Sequence, residues 1–189
     1  MTQLATVIVL AAGEGARFKA SGGTQNKLNA DLCGKPVRDH VMAAVQASGL
    51  PFHIVERADT QHIDHPGMGD SIACGVLATP QANGWLILPA DLPLVQPDTL
   101  RAVALALKEH TVVAPFFQGK QGHPVGFQAS CGQALTHLSG DTGARSVVAA
   151  NTVFKLDVND QGIVLDVDTL ALLAQAQMVM QNKAETSPR

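Results

Sequence analysis

Ala5-Thr6-Val7-Ile8-Val9-Leu10-Ala11-Ala12-Gly13-Glu14-Gly15-Ala16-Arg17-Phe18 decides the reading of this chain. Its first half is apolar, rich in β-branched residues, and short enough for a strand buried on both faces. Its second half breaks into small residues and glycine, where backbone N–H groups can approach a ligand with no side chain in the way. Arg17 follows, and Lys27 lies in the same long loop, Ala11 to Lys35. A bare backbone followed by two cations suits a polyphosphate. Two familiar glycine loops do not fit. A dinucleotide fingerprint needs glycine at 18, where Phe18 stands, and an acidic residue roughly 20 residues on, whereas Glu56 lies well beyond that. A P-loop needs a hydroxyl after Gly-Lys, and Gly34-Lys35-Pro36 has none. The reading without a ligand is a tight strand-to-helix turn with a surface arginine.

Outward from this stretch, strands and helices alternate. Pro36 opens a helix with Val37, Val41, Ala44 and Val45 on one face, and Gly49 stands where a C-cap belongs. Phe52 to Glu56 is a second strand. A polar loop then ends in Gly67-Met68-Gly69-Asp70-Ser71, where Asp70 or Ser71 can cap a helix running to about Thr79. Trp85 to Ala90 is a third strand, with Asp91 at its carboxyl end. Pro97 and Asp98 begin a helix with Leu100, Val103, Ala104 and Leu107 on one side. Thr111 to Phe117 and His123 to Gln128 are strands about a turn, ready to pair as a hairpin. Short helices are expected over Cys131–Leu138 and Ala144–Ala150. Strands follow at Val153–Val158 and Ile163–Val167, then a last helix from Asp168 to about Gln181. The alternation gives one three-layer α/β domain, residues 1–182, with a mostly parallel mixed sheet, and a disordered polar tail, 183–189. In such sheets ligands sit beyond the carboxyl ends of the strands, an edge that the Gly13 loop, Asp91 and Asp168 can share.

Composition narrows the class. The chain has 189 residues, 46% hydrophobic and 15% charged, which supports one domain with a full core. A formal net charge of −3 with no basic run argues against nucleic acid as the main partner. No charged leader precedes the first apolar run, and no apolar stretch is long enough to span a membrane. Cys33, Cys74 and Cys131 are scattered and read as free thiols, which places the chain in a reducing cytoplasm.

Asp91, at the end of a buried strand, either caps the next turn or holds a hard cation such as Mg²⁺. Asp166 and Asp168, two apart on the expected strand, share one side and offer a second carboxylate. Asp168 also has the place of a helix N-cap. His62 and His65 are spaced like metal ligands but have no third ligand nearby, so they do not read as a zinc site. Ser71 lacks the nucleophile elbow and reads as a cap or a base contact. Gly140-Asp141-Thr142-Gly143 precedes a short helix whose N–H groups could receive an anion, with Arg145 in its first turn. Pro124 cannot donate to a ladder, which predicts an edge or a bulge there and turns His123 toward the ligand edge.

Leu10-Ala11-Ala12-Gly13-Glu14-Gly15-Ala16-Arg17-Phe18, with Lys27-Leu28 and Gly34-Lys35-Pro36-Val37, resembles the opening of the MobA-like nucleotidyltransferases of molybdenum cofactor biosynthesis. Gly67-Met68-Gly69-Asp70-Ser71, Ala90-Asp91-Leu92-Pro93-Leu94-Val95, Gly122-His123-Pro124-Val125, Gly140-Asp141-Thr142-Gly143-Ala144-Arg145 and Leu165-Asp166-Val167-Asp168-Thr169 follow in the family's order. The resemblance covers nearly the whole chain and is nearest to the molybdenum cofactor cytidylyltransferase branch. The guanylyltransferase branch lacks the Gly-His-Pro and Gly-Asp-x-Gly-Ala-Arg pair. This chain departs from the family at Lys19, in its longer 19–26 loop, and at Leu170-Ala171-Leu172 after the last motif. The short segment between Glu56 and Gly67 is expected to lack a helix and a strand common in the family.

The resemblance implies a Rossmann-like nucleotidyltransferase fold and transfer of CMP from CTP to a phosphorylated pterin, molybdopterin, with release of pyrophosphate. It implies Mg²⁺ on Asp91 and Asp168, and Arg17 and Lys27 on the triphosphate. Leu10, Ala11, Ala12, Gly13, Gly15, Gly67 and Ser71 would hold the nucleoside, and His123 and Arg145 the acceptor. An ionised acceptor phosphate needs no general base. A molybdoenzyme or its chaperone is the further partner implied. The alternatives are another nucleoside triphosphate, GTP first, or a non-catalytic nucleotide- or cofactor-binding module on the same fold.

Overall fold

Thr6–Leu10 forms the first strand, β1, and its neighbours explain why it is apolar on both faces. The computed structural model describes residues 4–186. After β1 come α1 (Ala16–Ala20), the hairpin β2 (Asp31–Leu32) and β3 (Lys35–Pro36), α2 (Val37–Ser48), β4 (Phe52–Val55), α3 (Arg57–Thr60) and α4 (Met68–Ala78). Then follow β5 (Gly84–Pro89), α5 (Pro97–Ala106), β6 (Val112–Phe117), β7 (Lys120–Gln121), β8 (Val125–Gln128), α6 (Gly132–Thr136), α7 (Arg145–Ala149), β9 (Val153–Asp157) and α8 (Leu170–Thr186).

The sheet runs β4-β1-β5-β8-β6, with β7 and β9 both paired to β6. β4, β1, β5, β6 and β9 point one way, and β7 and β8 run against them. Val9 pairs with Ile54 on one side and with Leu88 on the other. Helices cover both faces. Val41, Ala44 and Val45 of α2 and Leu100 and Val103 of α5 pack on Val7, Val9, Leu86 and Leu88. Ile72 and Val76 of α4, Leu135 of α6 and Val147 of α7 pack on Ile8 and Ile87. Each such side chain contributes about 1.5–3 kcal/mol when fully buried, so β1 is placed by burial rather than by local propensity. A third cluster lies beside the sheet. It joins Phe18 of α1, Leu32 of the hairpin, Leu94, Val167 and Ala176 of α8.

The three-layer α/β architecture is therefore the one the alternation predicts, but several segments differ. The 11–35 loop is not structureless: it holds α1, a 3-10 turn at Lys27–Asn29 and the β2–β3 hairpin. These pieces are too short for a periodicity to show. Residues 57–66 hold the short helix α3 and no strand. Ile163–Val167 is not a strand: Gln161–Val164 is a 3-10 turn, followed by extended chain that joins no ladder. Ile163 packs into the main core, while Leu165 and Val167 face α1, the hairpin and α8 instead of a neighbouring strand. β8 is central rather than an edge. Pro124 sits just before it, after a cis peptide bond, where the missing N–H takes nothing from the ladder. Neither Asp70 nor Ser71 is the N-cap of α4: Gly67 is, and Asp70 reaches back to the Gly67 N–H from the third helical position. α8 continues to Thr186, as the helix formers Lys183, Ala184 and Glu185 allow, so of the expected tail only 187–189 lie outside the described residues.

The 160–168 segment is fixed at both ends. Asp160, only 2% exposed, accepts from the Gln96 N–H at 2.9 Å, the Thr99 hydroxyl at 2.7 Å and the Gly162 N–H at 2.9 Å. One carboxylate thus caps α5 and starts the 3-10 turn. Gly162 lies so close to the chain that a Cβ there would meet the Leu94 carbonyl oxygen at 2.1 Å. At the far end the Val167 N–H donates to the Asp91 carbonyl at 2.8 Å. Removing Asp160 strands three donors, two of them backbone. Asp160→Ala is expected to lower unfolding free energy by about 2–4 kcal/mol in urea titrations, with Asp160→Asn losing less.

Candidate active site

The strands set the site. The Ala90 N–H donates to the Leu10 carbonyl at 3.0 Å, which aligns the ends of β1 and β5 and leaves Asp91 just beyond. Lys27 arrives from the 3-10 turn. Asn26 starts that turn by accepting from the Leu28 N–H at 2.9 Å, and its amide donates to the Gly13 carbonyl at 3.3 Å. The lysine turn and the glycine loop are thereby tied together. Lys27 Nζ donates to Asp91 Oδ2 and to Asp168 Oδ1, each at 2.5 Å. Arg17, from α1, pairs with Asp168 Oδ2 at 2.6 Å while staying 81% exposed. The cations assigned to a triphosphate and the carboxylates assigned to a metal thus form one network.

Thr169, not Asp168, caps α8, through its hydroxyl oxygen and the Leu172 N–H at 3.2 Å. The Asp168 carboxylate is left to the two cations. Burial disfavours its charge, but the Lys27 hydrogen bond and charge and the Arg17 charge outweigh this and hold its pKa below the ordinary value. Burial likewise opposes the Lys27 ammonium, and Asp91 and Asp168 overcome it and hold its pKa above the ordinary range. Burial, aided by the charges of Asp168 and Asp91, pushes Asp166 up.

A cleft of about 700 Å³ opens beside this network. Leu10, Ala12, Gly13, Lys27, Gly67, Ser71 and Asp91 line it, all of them expected from the sequence. Ala11 is turned into the fold, its N–H bonded to the Val55 carbonyl. Gly15, at φ 67°, a conformation that suits glycine, packs against Lys27. Gly13 has nothing within 4 Å of where a Cβ would stand, so the protein itself leaves that space free. His123 is half-buried, near Asp91, with its Nδ1 enclosed and without a partner; burial lowers its pKa against the pull of Asp91. Arg145 is exposed on the five-residue α7 and does not line the cleft. Sequence reasoning missed Asn26, Glu14, Arg57 and Asp141. Glu14 and Arg57 pair at 2.6 Å, and both line the cleft, as does Asp141. Glu14 and Asp141 lay inside quoted motifs without being given a role, and Asn26 and Arg57 carried no signal.

Asp91, Asp166 and Asp168 each offer an oxygen within 4.8 Å of the others, the one such group of three among the described residues, so His62 and His65 gather no third ligand. Asp91 Oδ1 is buried and unpartnered. An all-oxygen set with one orphaned carboxylate oxygen fits a hard divalent cation.

A sheet edge that joins a bare glycine loop, clustered carboxylates and a half-buried lysine around one cleft is the arrangement of a nucleotidyltransferase. Residues 7–156 match the MobA-like NTP transferase domain, and the chain belongs to that family. It is 32% identical over 111 residues to the bifunctional protein GlmU of Halorhodospira halophila, covering 50% of this chain but only 23% of that relative. Rv0371c of Mycobacterium tuberculosis superposes with a TM-score of 0.77 at 21% identity, over 94% of this chain and 99% of that one. Its crystal structure with manganese gives a TM-score of 0.72 at 21% identity, over 93% and 99%. Molybdopterin-guanine dinucleotide biosynthesis protein A of Archaeoglobus fulgidus gives 0.66 at 16% identity, over 94% and 99%. No helix among the described residues is long and apolar enough to cross a membrane.

The ion network has a defined pH window. Its stabilisation is complete between the ordinary carboxylate and ordinary lysine ranges. It is lost as pH falls through the depressed pKa of Asp168, and as pH rises through the raised pKa of Lys27. In metal-free buffer, Lys27→Met is expected to move the Asp168 titration upward, followed by carboxyl NMR. An unmoved titration would mean that the ammonium does not stand between the two carboxylates in solution.

Proposed function

We propose that this protein transfers CMP from CTP to a phosphorylated pterin acceptor, most specifically molybdopterin, and releases pyrophosphate. The observation that carries the reading is the Lys27–Asp91–Asp168 network at the strand ends, beside a cleft floored by the glycine loop. The Gly122-His123-Pro124 and Gly140-Asp141-Thr142-Gly143-Ala144-Arg145 motifs support the cytidylyl branch. A structural relative named for molybdopterin-guanine dinucleotide biosynthesis supports the pterin class of acceptor.

The reaction is an in-line attack by an acceptor phosphate oxygen on the α-phosphorus of the nucleotide. The bond to the bridging oxygen breaks, and its electron pair leaves with pyrophosphate. Two anions must meet, so neutralisation of charge dominates the barrier. A hard divalent cation, Mg²⁺ in this reading, held by Asp91 and Asp168 with Asp166 in reach, supplies that neutralisation when bound. Lys27 and Arg17 then exchange carboxylates for the β- and γ-phosphates and stabilise the departing pyrophosphate. Gly13 leaves room for the nucleotide, and the buried Ser71 and half-buried Leu10 offer the base a shielded wall. His123 and Arg145 are kept for the acceptor on the strength of their motifs; neither lines the nucleotide cleft, which leaves them to a second substrate. A molybdoenzyme or its chaperone is the expected recipient of the product.

Thermal shift with Mg²⁺ and each of CTP, GTP, ATP and UTP tests the nucleotide. CTP is expected to raise Tm most, and a ligand at 100 times its Kd adds about 2.7 kcal/mol. A larger shift with GTP would replace cytidylyl by guanylyl transfer, and binding without pyrophosphate release in the presence of acceptor would favour a binding module. Asp91→Asn is expected to cut turnover by roughly a hundredfold or more with Tm near wild type; wild-type turnover would remove Asp91 from the metal site. For the acceptor, His123→Ala should raise its KM well above any change in the KM for CTP, read in steady-state kinetics varying each substrate.

A further inference from the structure

Two acids, Asp141 at the cleft and Asp70 behind it, have no part in the chemistry above. Asp70, at the start of α4, uses a single oxygen, Oδ2, to accept the Gly67 N–H at 2.8 Å and the Gly140 N–H at 2.9 Å, joining segments 70 residues apart. The Gly69 N–H returns a bond to the Gly140 carbonyl at 2.7 Å. The two loops touch backbone to backbone. A Cβ on Gly67 would lie 2.2 Å from the Gly140 carbonyl carbon and 2.6 Å from the Asp141 nitrogen, and one on Gly69 would lie 2.8 Å from the Ser139 oxygen. These glycines are required by the neighbouring loop. The residue that this contact delivers to the cleft is Asp141, which lines it with Gly67, Met68 and Ser71.

Asp141 stands outside the metal-binding group of Asp91, Asp166 and Asp168. A carboxylate apart from any cation repels phosphate and accepts hydrogen bonds from neutral donors. The wall beside it is buried: Ser71 is 6% exposed and Thr60 is 0%. That wall suits the flat base, and Asp141 is exposed at the rim. The sugar links base to phosphates, stays nearer the rim, and carries two vicinal hydroxyl donors. We propose that Asp141 reads the ribose hydroxyls of the nucleotide, and that Asp70 is the positioning residue that fixes it there. This rests on the nucleotide reading of the cleft, whichever base is preferred.

The test compares each ribonucleoside triphosphate with its 2′-deoxy and 3′-deoxy forms in the intact protein with Mg²⁺. The wild type is expected to prefer the ribose form. Asp141→Ala should raise the KM of that form about tenfold, the scale of one hydrogen bond to a charged group, and bring the ribose-to-deoxy ratio towards one. Asp70→Ala should do the same, and Asp70→Asn, whose amide oxygen can accept both N–H groups, should restore discrimination. Hydrogen exchange of the 139–143 segment should speed up in Asp70→Ala and not in Asp70→Asn. A ratio unchanged by Asp141→Ala, or a wild type indifferent to the deoxy forms, overturns the sugar assignment. An Asp70→Asn variant as impaired as Asp70→Ala overturns the positioning role. If Asp70→Ala fails to fold, Asp141→Ala still decides the sugar contact and Asp70→Asn the positioning. A wild type that prefers GTP sinks cytidylyl transfer alone, because the same comparison then runs on GTP and its deoxy forms.

Discussion

Lys27 between Asp91 and Asp168 is the interaction on which the rest depends. Three carboxylates within 4.8 Å of one another at the end of a buried sheet repel one another and lose hydration. Positive charge among them offsets that repulsion, and the upward push on Asp166 is what remains of it. Lys27 bridges segments 64 and 141 residues away. Its position in turn requires the Asn26 turn, and Arg17 requires α1. The chain between β1 and α2 is thus shaped less by its own propensities than by the need to bring two cations to two carboxylates.

Around that network, placement is done mostly by backbone. Asp160 gathers three donors, the Val167 N–H meets the Asp91 carbonyl, and the ends of β1 and β5 are joined through Ala90 and Leu10. α8 is tied to the glycine region as well: Ser21 accepts the Leu170 N–H at 3.1 Å and donates to the Phe18 carbonyl at 2.8 Å. The helix that follows Asp168 and the helix that carries Arg17 are therefore held in fixed relation. Such contacts position functional groups without spending side chains that the site needs for its ligands.

The sheet was legible because burial on both faces leaves continuous apolar runs, as in Val7–Leu10 and Trp85–Leu88. α2 and α5 were legible from their apolar stripes and their end signals, such as Gly49 after α2, and α4 only from the polar residues at its start. Asp91 and Lys27 stood out by position, one at a strand end and one beside a glycine loop. What could not be read was decided by partners distant in sequence. Leu165-Asp166-Val167-Asp168 alternates like a strand, but its apolar residues pack on α1, the hairpin and α8, so the period of two led to the wrong element. α1 and the β2–β3 hairpin are too short to show a period at all. The distant contacts of Asp70 and Asp160 do not show until Gly140 and Gln96 are seen to donate to them.

The order in which the network's members occur along the chain has a consequence for synthesis. Lys27 and Asp91 emerge early, and every strand of the sheet precedes residue 160. Asp168 comes last and reaches its place only when the segment anchored by Asp160 docks. A copy that ends just before residue 160 carries every strand of the sheet but lacks Asp168. The partner that balances Lys27 and Arg17 is thus the last of the network to be made, after the sheet's own sequence is complete.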